Sequence, residues 1–442
     1  MKDKVINNAL VPKLRFPEFR DEGEWNIELF EELYSFKPTN SFSRDNLNYN
    51  TGTVKNIHYG DIHTKFSTLF YLNEEAVPYV NISLSIEKIN PENYCKEGDM
   101  IFADASEDLD GIGKSIEIIK LDDEKLLSGL HTLLARQKTN KLTIGFGGYL
   151  FSSDGIRRQV QKEAQGAKVF GISNRRLSNI YVYYPQNKIE QQKIADCLSS
   201  IDDLIVAQSQ TLEALKTHKK GLMQQLFPAE GETVPKLRFP EFRDEGEWEV
   251  KMLRDICTIN PSCNTLPESF VYIDLESVVA GKLTSKTKIY GSNAPSRAQR
   301  LLENEDVIYQ TVRPYQKNNF FCLFEDETPY VASSGYAQLR AKECSKFLYQ
   351  IVHTKDFVNN VIAKCTGSNY PAINSSDLAT IRVSIPKLLA EQQKIADCLS
   401  SMDDLIETQT QKLEAFKTHK RGLMQQLFPN PNPTNKWITN QK

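Results

Sequence analysis

One frame of sequence occurs twice in this 442-residue chain. Residues 11–25 (VPKLRFPEFRDEGEW) recur without change at 234–248, and 32 of the 39 residues at 190–228 recur at 391–429. The offsets are 223 and 201 residues, so the first intervening stretch is 22 residues longer than the second, and the two differ almost throughout. A constant frame around two unlike inserts constrains the fold more than any local motif. It calls for one scaffold carrying two different heads.

The second repeat reads as a long helix with a heptad seam. Ile194, Leu198, Ile201, Ile205, Gln208, Leu212 and Leu215 are spaced alternately four and three apart, and the copy runs Ile395, Leu399, Met402, Ile406, Gln409, Leu413 and Phe416. That period is the signature of a coiled coil. Pro185 and Pro386 precede the helices and Pro228 and Pro429 follow them, which punctuates both ends. At 1.5 Å rise per residue each helix would be roughly 55–60 Å long. Each seam carries a Gln midway and a Lys later (Lys219, Lys420); an antiparallel pair would bring Gln208 and Gln409 together near its centre. A helix docked only on its own domain could hardly cover so long a stripe.

The inserts mix strand and helix. Residues 117–120, 180–184, 306–311 and 381–385 are rich in β-branched and aromatic types and predict strands, whereas 155–165 and 356–365 predict helices. GDMIF at 98–102 matches EDVIY at 305–309, SGLHTLLARQ from Ser128 matches SGYAQLRAKE from Ser334, and the stretch from Gln165 aligns with that from Thr366 at the helix offset of 201. The heads are therefore expected to share a fold and differ in surface. The expected fold class is α+β: two α/β heads joined by two long antiparallel coiled-coil helices, in a pseudo-twofold internal repeat. The expected parts are a first head at 1–187, a spacer helix at 188–228, a second head at 229–387 with its lead-in at 234–248, a second spacer helix at 388–429 and a tail at 430–442.

An α/β insert ending in Ile, Leu, Ile-x-Val and Pro, followed by Glu-Gln-x-Lys-Ile-Ala and a long helix, the whole unit duplicated, resembles the specificity subunit of type I restriction–modification systems. The residues that carry the likeness are 180–185 with 190–195 and 381–386 with 391–396, and it spans 11–429. The resemblance implies that each head reads one half of a split site in double-stranded DNA. It implies that the helices set the half-site spacing and dock two modification (adenine-N6 methyltransferase) subunits, and that restriction (motor and nuclease) subunits complete the assembly. The subunit would itself be non-catalytic, yet required for both methylation and restriction. S-adenosylmethionine, ATP and Mg would sit on the partner subunits, with no cofactor in this chain.

The residues agree with an absence of chemistry. There is no Asn-Pro-Pro-Tyr-like motif to grip adenine and no Walker sequence. GFGG at 145–148 does not open a Rossmann unit and reads as a turn or bulge. The six histidines show no metal-ligand spacing, and the acidic runs at 107–110 and 122–124 read as solvated loops. Eight cysteines without paired spacing, no apolar run of membrane length and no leader-like N-terminus point to a cytoplasmic protein with no membrane role. The net charge of −3 does not advertise a nucleic-acid binder, but residues 282–317 hold seven basic side chains against three acidic and 157–176 hold six against one.

Base edges are read by Arg or Lys at guanine and Asn or Gln at adenine. Loops dense in these types give Asn56, His58, Tyr59, His63 and Lys65, with Lys168, Asn174, Arg175 and Arg176, as DNA-binding candidates in the first head. In the second head the candidates are Arg297, Gln299, Arg300, Arg313, Tyr315, Lys317 and Asn318, with Ser334, Tyr336, Asn369 and Tyr370. The competing class is a structural adaptor whose two heads bind proteins; such patches are richer in large apolar residues than these loops are.

Overall fold

The computed structural model describes residues 10–430 apart from Ser85, Asn264 and Ser368. The expected tail therefore lies outside the described residues beyond Asn430. The chain divides into two compact units, residues 1–207 with 413–442 and residues 208–412. Each unit thus holds one head, the first half of the helix that follows that head and the last half of the other long helix, paired with each other. The cut falls within both long helices, Lys188–Leu226 and Leu389–Leu427.

In the first unit a five-stranded sheet runs in the order Tyr34–Lys37, Thr132–Gln137, Met100–Ala103, Ser115–Lys120, Leu69–Tyr71. Only its last pair is parallel. A second sheet pairs Leu126–Ser128 with Lys55–Ile57 in parallel. The second unit repeats the centre of this plan: Cys257–Ile259, Tyr336–Ala341 and Val307–Gln310 are antiparallel neighbours, and Ser269–Ile273 pairs with Tyr330–Ser333 in parallel. A bidentate ion pair recurs at the head of each central strand. Arg136 donates to Asp99 at 2.9 and 2.7 Å, and Arg340 donates to Asp306 at 2.9 Å twice. This fixes a register that the sequence match missed. Arg136 stands where Arg340 does, so the alignment of Ser128 with Ser334 slips by two residues in the strands that follow.

The repeated lead-in ties each head to both helices. Arg15 donates to both oxygens of buried Glu190 at 2.7 Å, and Arg238 does the same to Glu391 at 2.7 and 2.8 Å. Leu14 N–H donates to Gln426 O in one unit and Leu237 N–H to Gln225 O in the other, so the lead-in also satisfies carbonyls at the open end of a helix. Trp25 packs edge-on against Phe146 and Phe428, and Trp248 against Phe347 and Phe227. The opening Glu of the helix motif is thereby a structural anchor for the repeated lead-in.

The two helices run antiparallel within each unit. Gln208 Nε2 donates to Gln409 Oε1 at 2.6 Å, so a polar seam residue meets its own copy. Each seam lysine meets a carboxylate of the opposite helix: Lys219 with Asp403 and Lys420 with Asp202, both at 2.5 Å. The heads reach the same carboxylates, Tyr149 donating to Asp202 at 2.8 Å and Gln350 to Asp403 at 3.1 Å. Each polar seam position is therefore satisfied, which is the condition for tolerating it.

GFGG is neither turn nor bulge. Gly145 adopts φ +94° and opens the helix Phe146–Ser152, whose first turn wraps the buried carboxylate of Glu117. Gly148 N–H donates to Glu117 at 2.7 Å, and a Cβ on Gly147 would stand 3.3 Å from that carboxyl group. Burial pushes the Glu117 pKa up to about 7, against the pull of the backbone N–H groups. Among the described residues no group of His, Cys, Asp or Glu could hold a metal ion, and no helix is long and apolar enough to cross a membrane.

Candidate nucleic-acid interface

A small hairpin recurs in both heads with different residues at its tip. Its closing bridge joins Gln165 to Gly171 in the first head and Thr366 to Ala372 in the second, 201 residues on. The tip begins with a glycine in each case, Gly166 at φ +126° and Gly367 at φ +91°. A Cβ at Gly166 would overlap the backbone oxygen of Val169, so no other residue type fits that turn. Each hairpin leans on the segment after the Asp-headed strand: Gly171 pairs with Ala105, and Ala372 bridges Val312. On this common frame the exposed tips carry Lys168 and Val169 in one head, and Asn369 and Tyr370 in the other.

In the first head the hairpin borders an open groove of about 680 Å³, lined among others by Asp104, His131, Gln165, Val169, Asn174 and Arg175. Both Asn174 and Arg175 are exposed at the start of the helix Asn174–Ser178. His131 sits at φ +57° in the turn before Thr132–Gln137 and makes a 3.1 Å contact with Asp104. Its ring also meets that of Tyr59, with centroids 5.3 Å apart, and Tyr59 meets His58 and His63. His131 thus joins the two candidate groups, 56–65 and 166–176, at one edge. It was missed because its prominence comes from a left-handed turn that no local motif announces. Val169 was missed too, although the alignment at offset 201 sets it against Tyr370.

Several first-head candidates serve the fold instead. Asn56 is fully buried in the strand Lys55–Ile57, accepting from Asn40 at 2.7 Å and donating to Ile57 O at 3.3 Å. His58 is buried and caps the helix Tyr59–Thr64 by accepting from Gly60 N–H at 3.1 Å. Burial, then the Arg44 charge, lowers its pKa and keeps the acceptor form. The segment 55–65 is thus a strand and a short helix, not a loop. His63 stays half-buried with Nε2 2.9 Å from Ala105 O. Exposed Lys65 pairs with Asp61 at 3.0 Å, beside the bidentate Arg44–Asp61 contact. Burial raises the Asp61 pKa, but hydrogen bonds from Arg44 and Lys65 outweigh it and hold the carboxylate ionised. Arg176 is drawn toward Glu163, donating to its carbonyl at 3.0 Å.

In the second head the corresponding edge gathers Arg297, Ser334, Arg313, Asn369 and Tyr370. Ser334 N–H donates to Arg297 O at 2.7 Å, and Thr311 donates to neighbouring Gly335 O. Arg313 N–H donates to Pro371 O at 2.7 Å, and its guanidinium lies 4.2 Å over the exposed Tyr370 ring. Arg313 and Lys317 both hold left-handed backbone, φ +54° and +56°, on either side of the turn Pro314–Gln316. Such strain in non-glycine residues is concentrated at functional edges. Gln299 is the extra residue of a β-bulge between Ala298 and Arg300, a device that re-aims a side chain. Tyr315 is exposed at the turn, while Lys317 points to His353 O at 3.4 Å and Asn318 accepts from Ala280 N–H at 3.0 Å. One candidate is corrected: Tyr336 is fully buried with its hydroxyl unpartnered. Arg300 is half-buried, and desolvation lowers its pKa.

Comparisons with known proteins converge. Residues 245–417 match the family model for the type I restriction modification DNA specificity domain. The chain is 25% identical over 364 residues to the type I restriction enzyme MjaX specificity subunit of Methanocaldococcus jannaschii, covering 78% of this chain and 81% of that one. It is 24% identical over 316 residues to the MjaVIII specificity subunit of the same organism, covering 67% and 72%. A crystal structure of a type I S subunit from M. genitalium shares the fold, with TM-score 0.59 at 14% identity over 95% of this chain and 99% of that one. Residues 245–417 thus match a type I specificity domain, and over most of its length the chain is similar to the specificity subunits of type I restriction–modification systems, whose fold it shares.

Proposed function

We propose that each head reads one half of an asymmetric, bipartite site in double-stranded DNA. The carrying observation is the recurrent hairpin: one frame in both heads, with Lys168 and Val169 at one tip and Asn369 and Tyr370 at the other. Lys and Asn suit guanine and adenine edges, and an exposed Val suits a thymine methyl. A homodimer would read a palindrome; two unlike tips read two unlike half-sites. In the first head Asn174, Arg175 and His131 complete the reading edge. In the second, Arg297, Gln299, Arg313 and Tyr315 do so.

On this reading the paired helices hold the half-site spacing and dock two modification subunits, and restriction subunits join them. The chain contributes recognition and no catalysis. S-adenosylmethionine, ATP and Mg act on the partners, in the cytoplasm. Two near-identical helices support a pair of identical partners, which need two equivalent surfaces. The test is to express the chain with its modification subunits in a host lacking adenine methylation and to sequence the DNA natively. A split motif with two unlike halves around an unspecified gap is expected. A continuous or palindromic motif, or none from a soluble complex, would refute the two-headed reading.

A further inference from the structure

We propose that a lysine-lined groove in the second unit holds the sugar–phosphate backbone of duplex DNA beside the half-site that this head reads. The proposal rests on the DNA-reading function and adds to it a grip made by the spacer helix. The groove, about 860 Å³, lies between the last turns of the first long helix and residues 349–359. Six lysines line it: Lys216, Lys219 and Lys220 from the helix, Lys236 from the repeated lead-in, Lys317 from the candidate reading loop and Lys355 from the helix Lys355–Ala363. The lining carboxylates are Glu230 and Asp356. Lys216 pairs with Glu213 and Lys219 with Asp403, whereas Lys220, Lys236 and Lys355 make no ion pair among the described residues. The crowding shows in Lys317, whose pKa is lowered by burial and then by Lys220. A concave site with surplus positive charge raises the local concentration of an anion.

Duplex DNA is favoured by continuity with the reading edge. The turn Pro314–Gln316 has Arg313, stacked on Tyr370, at one end and Lys317, lining the groove, at the other. The groove therefore begins where the reading edge stops. A small anion could not reach six lysines spread over this space, whereas a strand of phosphates could. Lysines are point charges on flexible stems, suited to phosphates that need no bidentate fit. Four of the six lysines belong to the repeated frame, Lys216, Lys219, Lys220 and Lys236 recurring as Lys417, Lys420, Arg421 and Lys13, whereas the residue 201 positions before Lys355 is Asp154. Phosphate contacts position without specifying sequence, so the motif read should not depend on these lysines.

The test compares the wild-type chain with a Lys220→Gln, Lys236→Gln, Lys355→Gln variant, each in complex with its modification subunits, on a duplex carrying the motif that the complex methylates. Each lost phosphate contact removes about 0.9 from the slope of log affinity against log salt, so three remove about 2.7. Between 50 and 200 mM salt the variant should lose roughly 40-fold less affinity than wild type does. The methylated motif should stay the same, and the corresponding Lys→Arg variant should keep the wild-type slope. An unchanged slope in the Gln variant overturns the groove assignment and leaves the reading function standing. If that variant instead sheds modification subunits by light scattering at an unchanged slope, the groove takes an acidic partner segment. Absence of any sequence-specific duplex binding by the wild-type complex would remove the reading function, and the groove with it.

Discussion

Replacing Arg15 by Met and, separately, Arg238 by Met should destabilise the two units unequally although the residues occupy identical sequence. Each guanidinium makes two hydrogen bonds to a fully buried carboxylate and a third to a carbonyl, Gly23 O or Gly246 O, at 2.6 Å. Removing one partner of a buried pair typically costs about 3–5 kcal/mol, because the remaining charge has lost both solvent and counter-ion. The second carboxylate is better protected: Trp248 Nε1 donates to Glu391 at 3.3 Å, whereas Trp25 Nε1 has no partner among the described residues. A hydrogen bond to a charged group contributes about 1.5–3 kcal/mol, and at this length the lower figure applies. Arg238→Met should therefore cost about 1.5 kcal/mol less than Arg15→Met. Because two compact units need not unfold together, the assay is local: hydrogen exchange by mass spectrometry over residues 11–25 and 234–248. Exchange over 11–25 should accelerate roughly a hundred-fold or more in Arg15→Met, and by roughly ten-fold less over 234–248 in Arg238→Met. Adding Glu190→Met to Arg15→Met should restore most of the protection, since an apolar pair can replace a buried ion pair. Equal acceleration at the two sites, or no recovery in the double variant, would refute the reasoning.

Three further outcomes are expected. The Glu117 pKa is raised from 4.5 to about 7, so its contribution to stability is full below pH 4.5 and declines as pH rises toward and through 7; Glu117→Gln should flatten the fall in melting temperature between pH 5 and 8, an effect of up to about 3 kcal/mol. Arg313→Ala should relax one base position in the second half-site, weakening discrimination there by about 1–3 kcal/mol while the first half-site stays unchanged; methylation mapping that showed both halves altered would exclude a local role. Deleting residues 205–211 together with 406–412 shortens both helices by seven residues while preserving the seam register. The half-sites should stay as they are while the gap between them shortens by roughly three base pairs, and a changed half-site with an unchanged gap would contradict the spacer role.

Repetition alone announced the scaffold. The heptad period foretold the long helices because burial of one stripe every 3.5 residues is a local, additive property that a string of letters displays. Alternation of branched and aromatic residues gave the strands at 117–120, 180–184, 306–311 and 381–385 for the same reason, and the structure has them at Ser115–Lys120, Tyr181–Tyr184, Val307–Gln310 and Arg382–Ile385. What tertiary structure decided was which polar side chains are left facing outward. Asn56 and Tyr336 read as contact residues by type, yet both are fully buried, because their strands lie inside the head. His131 does not stand out by type, yet a left-handed turn sets it at the edge beside Tyr59 and Asp104. Glu190 and Glu391 look like surface charges on an amphipathic helix, and only the folded lead-in, bringing Arg15 across 175 residues and Arg238 across 153, makes them buried anchors. Local patterning is written in residues a few positions apart; the fate of a polar group depends on partners tens to more than a hundred positions away, and only the folded chain chooses them.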